Sequence, residues 1–293
     1  MAEGQSGVWE QAMEPFRPLA NPIDLGQVSI GDGSLTLIAG PCSIESEDLC
    51  LSVAEHLSAI CTELGMPYIF KSSFDKANRT SASSFRGQGV DRGLAILQKV
   101  KQKVGVPLLT DVHESSQAQA VAQIVDVLQI PAFLCRQTDL LVECGKWGRA
   151  VNIKKGQFLP PEDMQYAVGK VAGAGNKNVL VTERGASFGY RDLVVDMRSL
   201  VIMRSFGHPV VFDATHSVQQ MGAAGGATGG RPAFIPAQVR AAVAVGIDAL
   251  FIETHPDPAT ALSDGSTMVP LANMRGVLEM ALAVHSIHQS RAP

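Results

Sequence analysis

Six cations, Lys71, Lys76, Arg79, Arg136, Lys154 and Arg184, stand close behind short β-branched runs of the chain. Any one of them alone reads as half of a surface salt bridge. Brought together they repel unless anions neutralise them, so a converged set predicts a site for more than one phosphate or carboxylate group. A second set differs in kind: Cys42, His216, Glu253 and Asp264 offer one soft sulfur, one imidazole and two carboxylates. If the fold makes them neighbours they can share a first-row divalent ion, thiolate and imidazole favouring Zn²⁺ or Fe²⁺ and the carboxylates admitting Mn²⁺. Taken singly, Cys42 is more often a small buried filler and His216 a hydrogen-bonded loop residue. The five cysteines form no CxxC pair and are odd in number, which speaks against a zinc ribbon or a disulfide framework. Cys50, Cys61 and Cys144 are expected to pack, and Cys135 to be a bystander beside Arg136.

The elements that would position these groups follow from periodicity. Eight short β-branched runs recur, at 35–39, 68–70, 108–110, 127–130, 151–153, 179–181, 210–212 and 249–252. Helical patterns lie between them. Leu49, Val53, Leu57, Ile60 and Leu64 step by three or four between a capping Ser46 and a terminating Gly65, and Leu94, Leu97, Val100 and Val104 stop at Gly105 and Pro107. Strands that alternate with helices need parallel crossovers, and eight such units predict an α/β fold of the (β/α)₈ barrel type. No GxGxxG follows the first run, which removes the usual sign of a dinucleotide fold. In a closed barrel every strand end opens on one mouth, and the eighth strand lies beside the first. Cys42, His216 and Glu253 follow runs one, seven and eight, and so become neighbours there.

Ahead of the barrel, residues 28–30 and 35–38 flank Gly31-Asp32-Gly33-Ser34 and predict an N-terminal β-hairpin. Residues 1–27 are rich in Pro, Gly and acids and read as a lead-in outside the core, leaving 28–293 as a single catalytic domain. The Gly-rich stretch 219–232 is predicted to be a mobile loop or lid. With 293 residues, 46% hydrophobic and 18% charged, the chain can close one large core. A net charge of -4 gives no reason to expect nucleic acid or an acidic membrane as partner. The N-terminus has neither the basic start nor the apolar run of a signal peptide, and no stretch is long enough to span a membrane. A cytoplasmic protein is expected.

At the strand ends the strings themselves are telling: Ile38-Ala-Gly-Pro-Cys-Ser-Ile-Glu-Ser46, Phe70-Lys-Ser-Ser-Phe-Asp-Lys-Ala-Asn-Arg-Thr-Ser81, Thr110-Asp-Val-His-Glu114, Gln129-Ile-Pro-Ala-Phe-Leu-Cys-Arg-Gln-Thr-Asp139, Asn152-Ile-Lys-Lys-Gly-Gln-Phe158, Glu183-Arg-Gly-Ala-Ser-Phe-Gly-Tyr190, Asp213-Ala-Thr-His-Ser-Val-Gln219 and Glu253-Thr-His-Pro-Asp-Pro258. In this order, from about Leu35 to the C-terminus, they resemble the 3-deoxy-D-manno-octulosonate 8-phosphate (KDO8P) synthases. The resemblance implies a cytoplasmic homotetramer of barrels that condenses phosphoenolpyruvate with D-arabinose 5-phosphate and water, for the eight-carbon sugar of lipopolysaccharide. By position it assigns Lys71, Ser73, Lys76 and Gln129 to the carboxylate side of phosphoenolpyruvate and the reacting centre. It assigns the backbone of Ala132, with Lys154 and Arg184, to the phosphate of that substrate. Asn78, Arg79 and Thr80 would take the sugar phosphate, Asp111 and His113 would lie near the sugar, and Arg136 would reach a neighbouring subunit's site. The family's usual residue at position 80 is Ser, and Thr80 keeps the hydroxyl. Metal-free members carry Asn where this chain has Cys42, so the resemblance implies the metal-dependent class, with His216, Glu253 and Asp264 completing the ligand set.

Two other readings remain open at this level. The synthase of the aromatic pathway, which makes 3-deoxy-D-arabino-heptulosonate 7-phosphate from erythrose 4-phosphate, generally reads Lys-Pro-Arg-Thr where this chain has Lys76-Ala77-Asn78-Arg79-Thr80. A non-catalytic sugar-phosphate-binding barrel would need the cations but not the metal set.

Overall fold

The computed structural model describes residues 16–78, 85–224 and 227–289. Two short strands, β1 (Ile23–Asp24) and β2 (Ser29–Ile30), pair antiparallel ahead of the barrel. Six parallel strands follow: β3 (Thr36–Gly40), β4 (Tyr68–Lys71), β5 (Leu108–Asp111), β6 (Val127–Ile130), β7 (Ala150–Lys154) and β8 (Val179–Glu183). A hairpin of β9 (Ala186–Phe188) and β10 (Asp192–Val194) precedes the seventh barrel strand, β11 (Val210–Asp213). A second hairpin, β12 (Gln219–Ala224) with β13 (Ala227–Gly230), precedes the eighth, β14 (Ala249–His255). The short β15 (Val269–Pro270) adds to the end of β14. Closure is explicit, because β14 pairs in parallel with both β11 and β3.

The helices are α1 (Glu47–Leu64), α2 (Val90–Val104), α3 (Ala118–Ala122), α4 (Thr138–Trp147), α5 (Met164–Gly173), α6 (Arg198–Arg204), α7 (Ile235–Val245) and α8 (Met274–Gln289). In α1 the Ser46 side chain accepts from the Leu49 N–H at 3.1 Å, and Gly65 ends the helix in the left-handed region at φ 64°. Val53, Leu57 and Ile60 turn to the core, as their spacing requires. All eight apolar runs are barrel strands, so the α/β barrel expectation holds.

Three local expectations are corrected. Residues 35–38 do not pair with 28–30, because the backbone groups of β3 are taken on both sides by β4 and β14. The N-terminal hairpin is instead β1 with β2. Gly31 and Gly33, at φ 94° and 98°, then turn the chain into the barrel. The lead-in is not wholly outside the core either. Ile23 and Leu25 are buried and pack with Val28 and Ile30 against Ile38, Ile69, Leu109 and Phe251. This closes the floor of the barrel, whose apolar lining would otherwise meet water. Finally, the Gly-rich stretch forms the β12–β13 hairpin rather than an irregular loop. Small residues allow its two backbones to pair closely.

Candidate active site

The C-terminal ends of the parallel strands gather the polar groups at one mouth. Lys71, last in β4, forms a buried ion pair with Glu253 of β14, and its Nζ also donates to the Cys42 carbonyl at 3.1 Å. Lys76 Nζ lies 3.8 Å from the same Glu253 Oε1. Lys154, last in β7, lies 2.6 Å from Asp213, last in β11. Asp111, last in β5, accepts from Ser73 Oγ on one oxygen and from Gln129 Nε2 on the other. Burial alone would raise the carboxyl pKa values of Asp111 and Glu253, but Lys71 and Lys76 hold both well below the usual range, with His216 adding to the effect on Glu253.

The expected cation cluster is therefore interleaved with carboxylates, and most of its charge is already answered. Among the buried, described members of the cluster, Arg184 is the exception. It is buried, Nη2 donates to Gln219 Oε1 at 2.8 Å, and Nη1 has no hydrogen-bond partner among the described residues. Burial pulls its pKa below the ordinary value, although Asp213 and Glu183 work against this. A buried guanidinium edge without a partner is costly, and a phosphate oxygen would satisfy it.

The second set also converges, in large part. Ligand atoms of Cys42, Glu253 and Asp264 all lie within 4.8 Å of one another. Cys42 Sγ is 3.4 Å from Asp264 Oδ2 and 3.3 Å from Ser263 Oγ. His216 stands at the edge of this group, its Nε2 3.6 Å from Glu253 Oε2. Its other nitrogen, Nδ1, is 2.8 Å from Asp213 Oδ2, near enough for an ion pair but without a well-formed hydrogen bond among the described residues. Glu253 Oε2 is buried without a hydrogen-bond partner among the described residues. Burial, and then Glu253, push the Cys42 thiol well above its usual range. Asp264 is the one non-glycine described residue with positive φ, 49°. An orphaned carboxylate oxygen, a thiol crowded by acids and an imidazole beside them are what a divalent cation would reconcile, so the donor set fits such an ion.

The remaining predicted residues lie around this mouth or outside the described part of the chain. Arg136 is exposed, shortly after the backbone turn from Ala132 to Leu134. Ala132 itself is buried at the start of that turn. Asn78 is exposed at the rim. Arg79 and Thr80 lie outside the described residues. His113 is half-buried, its ring edge-on to Phe74 at 5.9 Å, and burial lowers its pKa. The five cysteines are all free and buried. Asp213 was visible as a strand-end acid, yet nothing local marked it as the group between Lys154 and His216. Asn152 opens one of the recognisable strings but had no role assigned to it, and Thr182 inside its strand carried no signal.

A family model described as the DAHP synthetase I family matches residues 12–289. The chain is 56% identical over 270 residues to a 2-dehydro-3-deoxyphosphooctonate aldolase of Trichlorobacter lovleyi, covering 92% of this chain and 99% of the relative. It is 60% identical over 260 residues to the protein of the same description from a Cyanothece species, covering 88% and 95%. A third, from Legionella pneumophila, is 55% identical over 258 residues, covering 88% and 94%.

Proposed function

The chain belongs to the DAHP synthetase I family, and on that premise, joined to its 2-dehydro-3-deoxyphosphooctonate aldolase relatives, we infer that it condenses phosphoenolpyruvate with D-arabinose 5-phosphate. Water is the third reactant, and 3-deoxy-D-manno-octulosonate 8-phosphate and phosphate are the products. It is a transferase of KDO biosynthesis. The structural observation that supports this reading most is the buried Nη1 of Arg184, unpartnered among the described residues, in a mouth that also holds Lys71, Lys76 and Lys154.

In the reaction, C3 of phosphoenolpyruvate attacks the sugar aldehyde, water adds at C2, and phosphate leaves by C–O cleavage. Arg184, Lys154 and the backbone of Ala132 would grip the phosphate that departs, charge-assisted contacts that both position and neutralise it. Lys71, Lys76, Ser73 and Gln129 would hold the carboxylate side. Ser73 and Gln129 are already tied to Asp111 and so are pre-organised. Asn78, Arg79 and Thr80 would bind the sugar phosphate, with Asp111 and His113 beside the sugar. Cys42, His216, Glu253 and Asp264 would hold a divalent ion, Zn²⁺, Fe²⁺ or Mn²⁺, which would supply Lewis-acid stabilisation, or a proton from its bound water, beside the aldehyde oxygen.

The homotetramer belongs to the same proposal. Exposure of Arg136, and of Phe133 at 46% on the same turn, supports a role for this segment at a neighbouring subunit. Five free buried cysteines support a reducing, cytoplasmic setting. No helix among the described residues is long and apolar enough to cross a membrane.

The family also takes its description from the rival DAHP synthesis, so the sugar must be tested directly. Phosphate release from phosphoenolpyruvate is measured with arabinose 5-phosphate and with erythrose 4-phosphate, each with and without chelator. Asn78, standing where the rival motif has Pro, adds hydrogen-bonding capacity, and the five-carbon sugar should be strongly preferred. Equal or reversed kcat/KM would sink the substrate assignment. Full turnover of protein shown by elemental analysis to be metal-free would sink the metal assignment.

A further inference from the structure

Branched apolar side chains normally fill the interior layers of a (β/α)₈ barrel. One row here is polar instead. Asp111, Gln129 and Asn152 sit directly opposite one another on β5, β6 and β7 in the parallel register, and Thr182 of β8 extends the row. All four are buried, Asn152 and Thr182 completely.

Their hydrogen bonds run in one direction. Thr182 Oγ1 donates to Asn152 Oδ1 at 2.7 Å, Asn152 Nδ2 donates to Gln129 Oε1 at 2.9 Å, and Gln129 Nε2 donates to Asp111 Oδ1. Ser73 Oγ donates to the other Asp111 oxygen. The direction has a cause. Asp111, beside buried Lys71 and Lys76, is ionised and can only accept. Gln129 must therefore turn its NH₂ toward Asp111, which leaves its carbonyl facing β7. Asn152 must answer with its own NH₂, and the Asn152 carbonyl is left for the Thr182 hydroxyl. Reversing either amide would set two acceptors against each other in a dry site.

We propose that Asn152 and Thr182 are positioning residues for the condensation, acting through Gln129 by holding its amide with the NH₂ edge toward Asp111 and the phosphoenolpyruvate subsite. Their side-chain polar atoms are taken up by one another and by Gln129, so they act through Gln129 rather than on substrate. The inference rests on the reading of Gln129 as a phosphoenolpyruvate-binding residue given above.

The test is a kinetic cycle in the full-length enzyme. Asn152→Asp replaces the donor by an acceptor, Thr182→Val removes the hydroxyl at constant shape, and Thr182→Ser keeps the hydroxyl while losing a methyl. Asn152→Asp should raise the KM for phosphoenolpyruvate roughly tenfold or more and Thr182→Val roughly threefold, the scale of one lost buried hydrogen bond. The KM for arabinose 5-phosphate should stay within about twofold, and Thr182→Ser should behave as the parent. In a Gln129→Ala background, Asn152→Asp should add less than about twofold, because no amide is left to orient. Should Asn152→Asp fail to fold, Thr182→Val against Thr182→Ser decides on the same KM split. Equal losses from the two Thr182 variants, or a full multiplicative effect of Asn152→Asp in the Gln129→Ala background, overturn the proposal and leave the role of Gln129 standing. Unchanged phosphoenolpyruvate kinetics in Gln129→Ala alone overturn the role of Gln129, and the proposal with it.

Discussion

Lys154 Nζ and Asp213 Oδ2 lie 2.6 Å apart in the barrel mouth, with side chains 8% and 0% exposed. The pair spans two strands that are not neighbours, since β8 lies between β7 and β11. The same Asp213 oxygen is 2.8 Å from His216 Nδ1, and Asp213 Oδ1 accepts from the His216 backbone N–H at 2.9 Å. One carboxylate thus connects a proposed phosphate-binding cation to a proposed metal ligand. Removing it strands a buried ammonium. Asp213→Ala should cost about 3–5 kcal/mol of unfolding free energy and most of the turnover. Urea unfolding read by circular dichroism checks the first figure, and a loss below about 1 kcal/mol would show that the pair holds little.

Arg184→Ala should weaken phosphoenolpyruvate use without a comparable effect on the sugar. A charge-assisted hydrogen bond to a buried phosphate is worth about 1.5–3 kcal/mol, so kcat/KM for phosphoenolpyruvate should fall by roughly one to two orders of magnitude. Stability should change little or rise, because the unpartnered Nη1 is removed as well. Unaltered KM and kcat would show that this guanidinium does not meet the phosphate.

Cys42 separates packing from ligation. A merely packed cysteine exchanged for Ala should cost stability on the order of 1 kcal/mol and leave bound metal unchanged. As a ligand, Cys42→Ala should lose both metal, by elemental analysis, and turnover. Cys42→Asn is the sharper variant, because the resemblance places Asn here in metal-free synthases. It should keep a measurable part of the activity and ignore chelator, whereas the parent is silenced by chelator and revived by Mn²⁺, Zn²⁺ or Fe²⁺.

Acid should destabilise the fold in two stages. Burial lowers the pKa of His113, of His208 and of His285 below the ordinary histidine value. The unfolded chain protonates these groups near about pH 6.5, while the folded chain still keeps them neutral. The unfolded state then binds more protons, so stability is full above about pH 6.5 and falls as the pH drops below it toward the lowered folded values. Asp111 adds a further loss below about pH 4, because Lys71 and Lys76 hold its carboxyl ionised against the burial that would raise it. Unfolding midpoints measured between about pH 8 and pH 5 should decline monotonically on the acid side, and a flat profile would contradict the histidine assignment.

The amino-acid order by itself determined the eight strands, the helices capped by Ser46 and stopped by Gly65 and Gly105, and the membership of the mouth: Lys71, Lys76, Lys154 and Arg184 with Cys42, His216 and Glu253. These follow from local signals, because apolar periodicity and cap chemistry act over a few residues and a barrel sends every strand end to one face. Only the tertiary structure decided that β3 pairs with β14 rather than with residues 28–30, and that Ile23 and Leu25 close the floor. It alone turned Arg136 outward and set Asp213 between Lys154 and His216. The polar row from Thr182 to Asp111 was equally hidden. Its partners stand 18 to 30 positions apart in the chain, and an Asn or Thr inside a strand looks the same whether it faces a helix or the barrel axis. Which bonds such residues make is set by register and by the charge of the carboxylate at the end of the row, and both exist only once the barrel has closed.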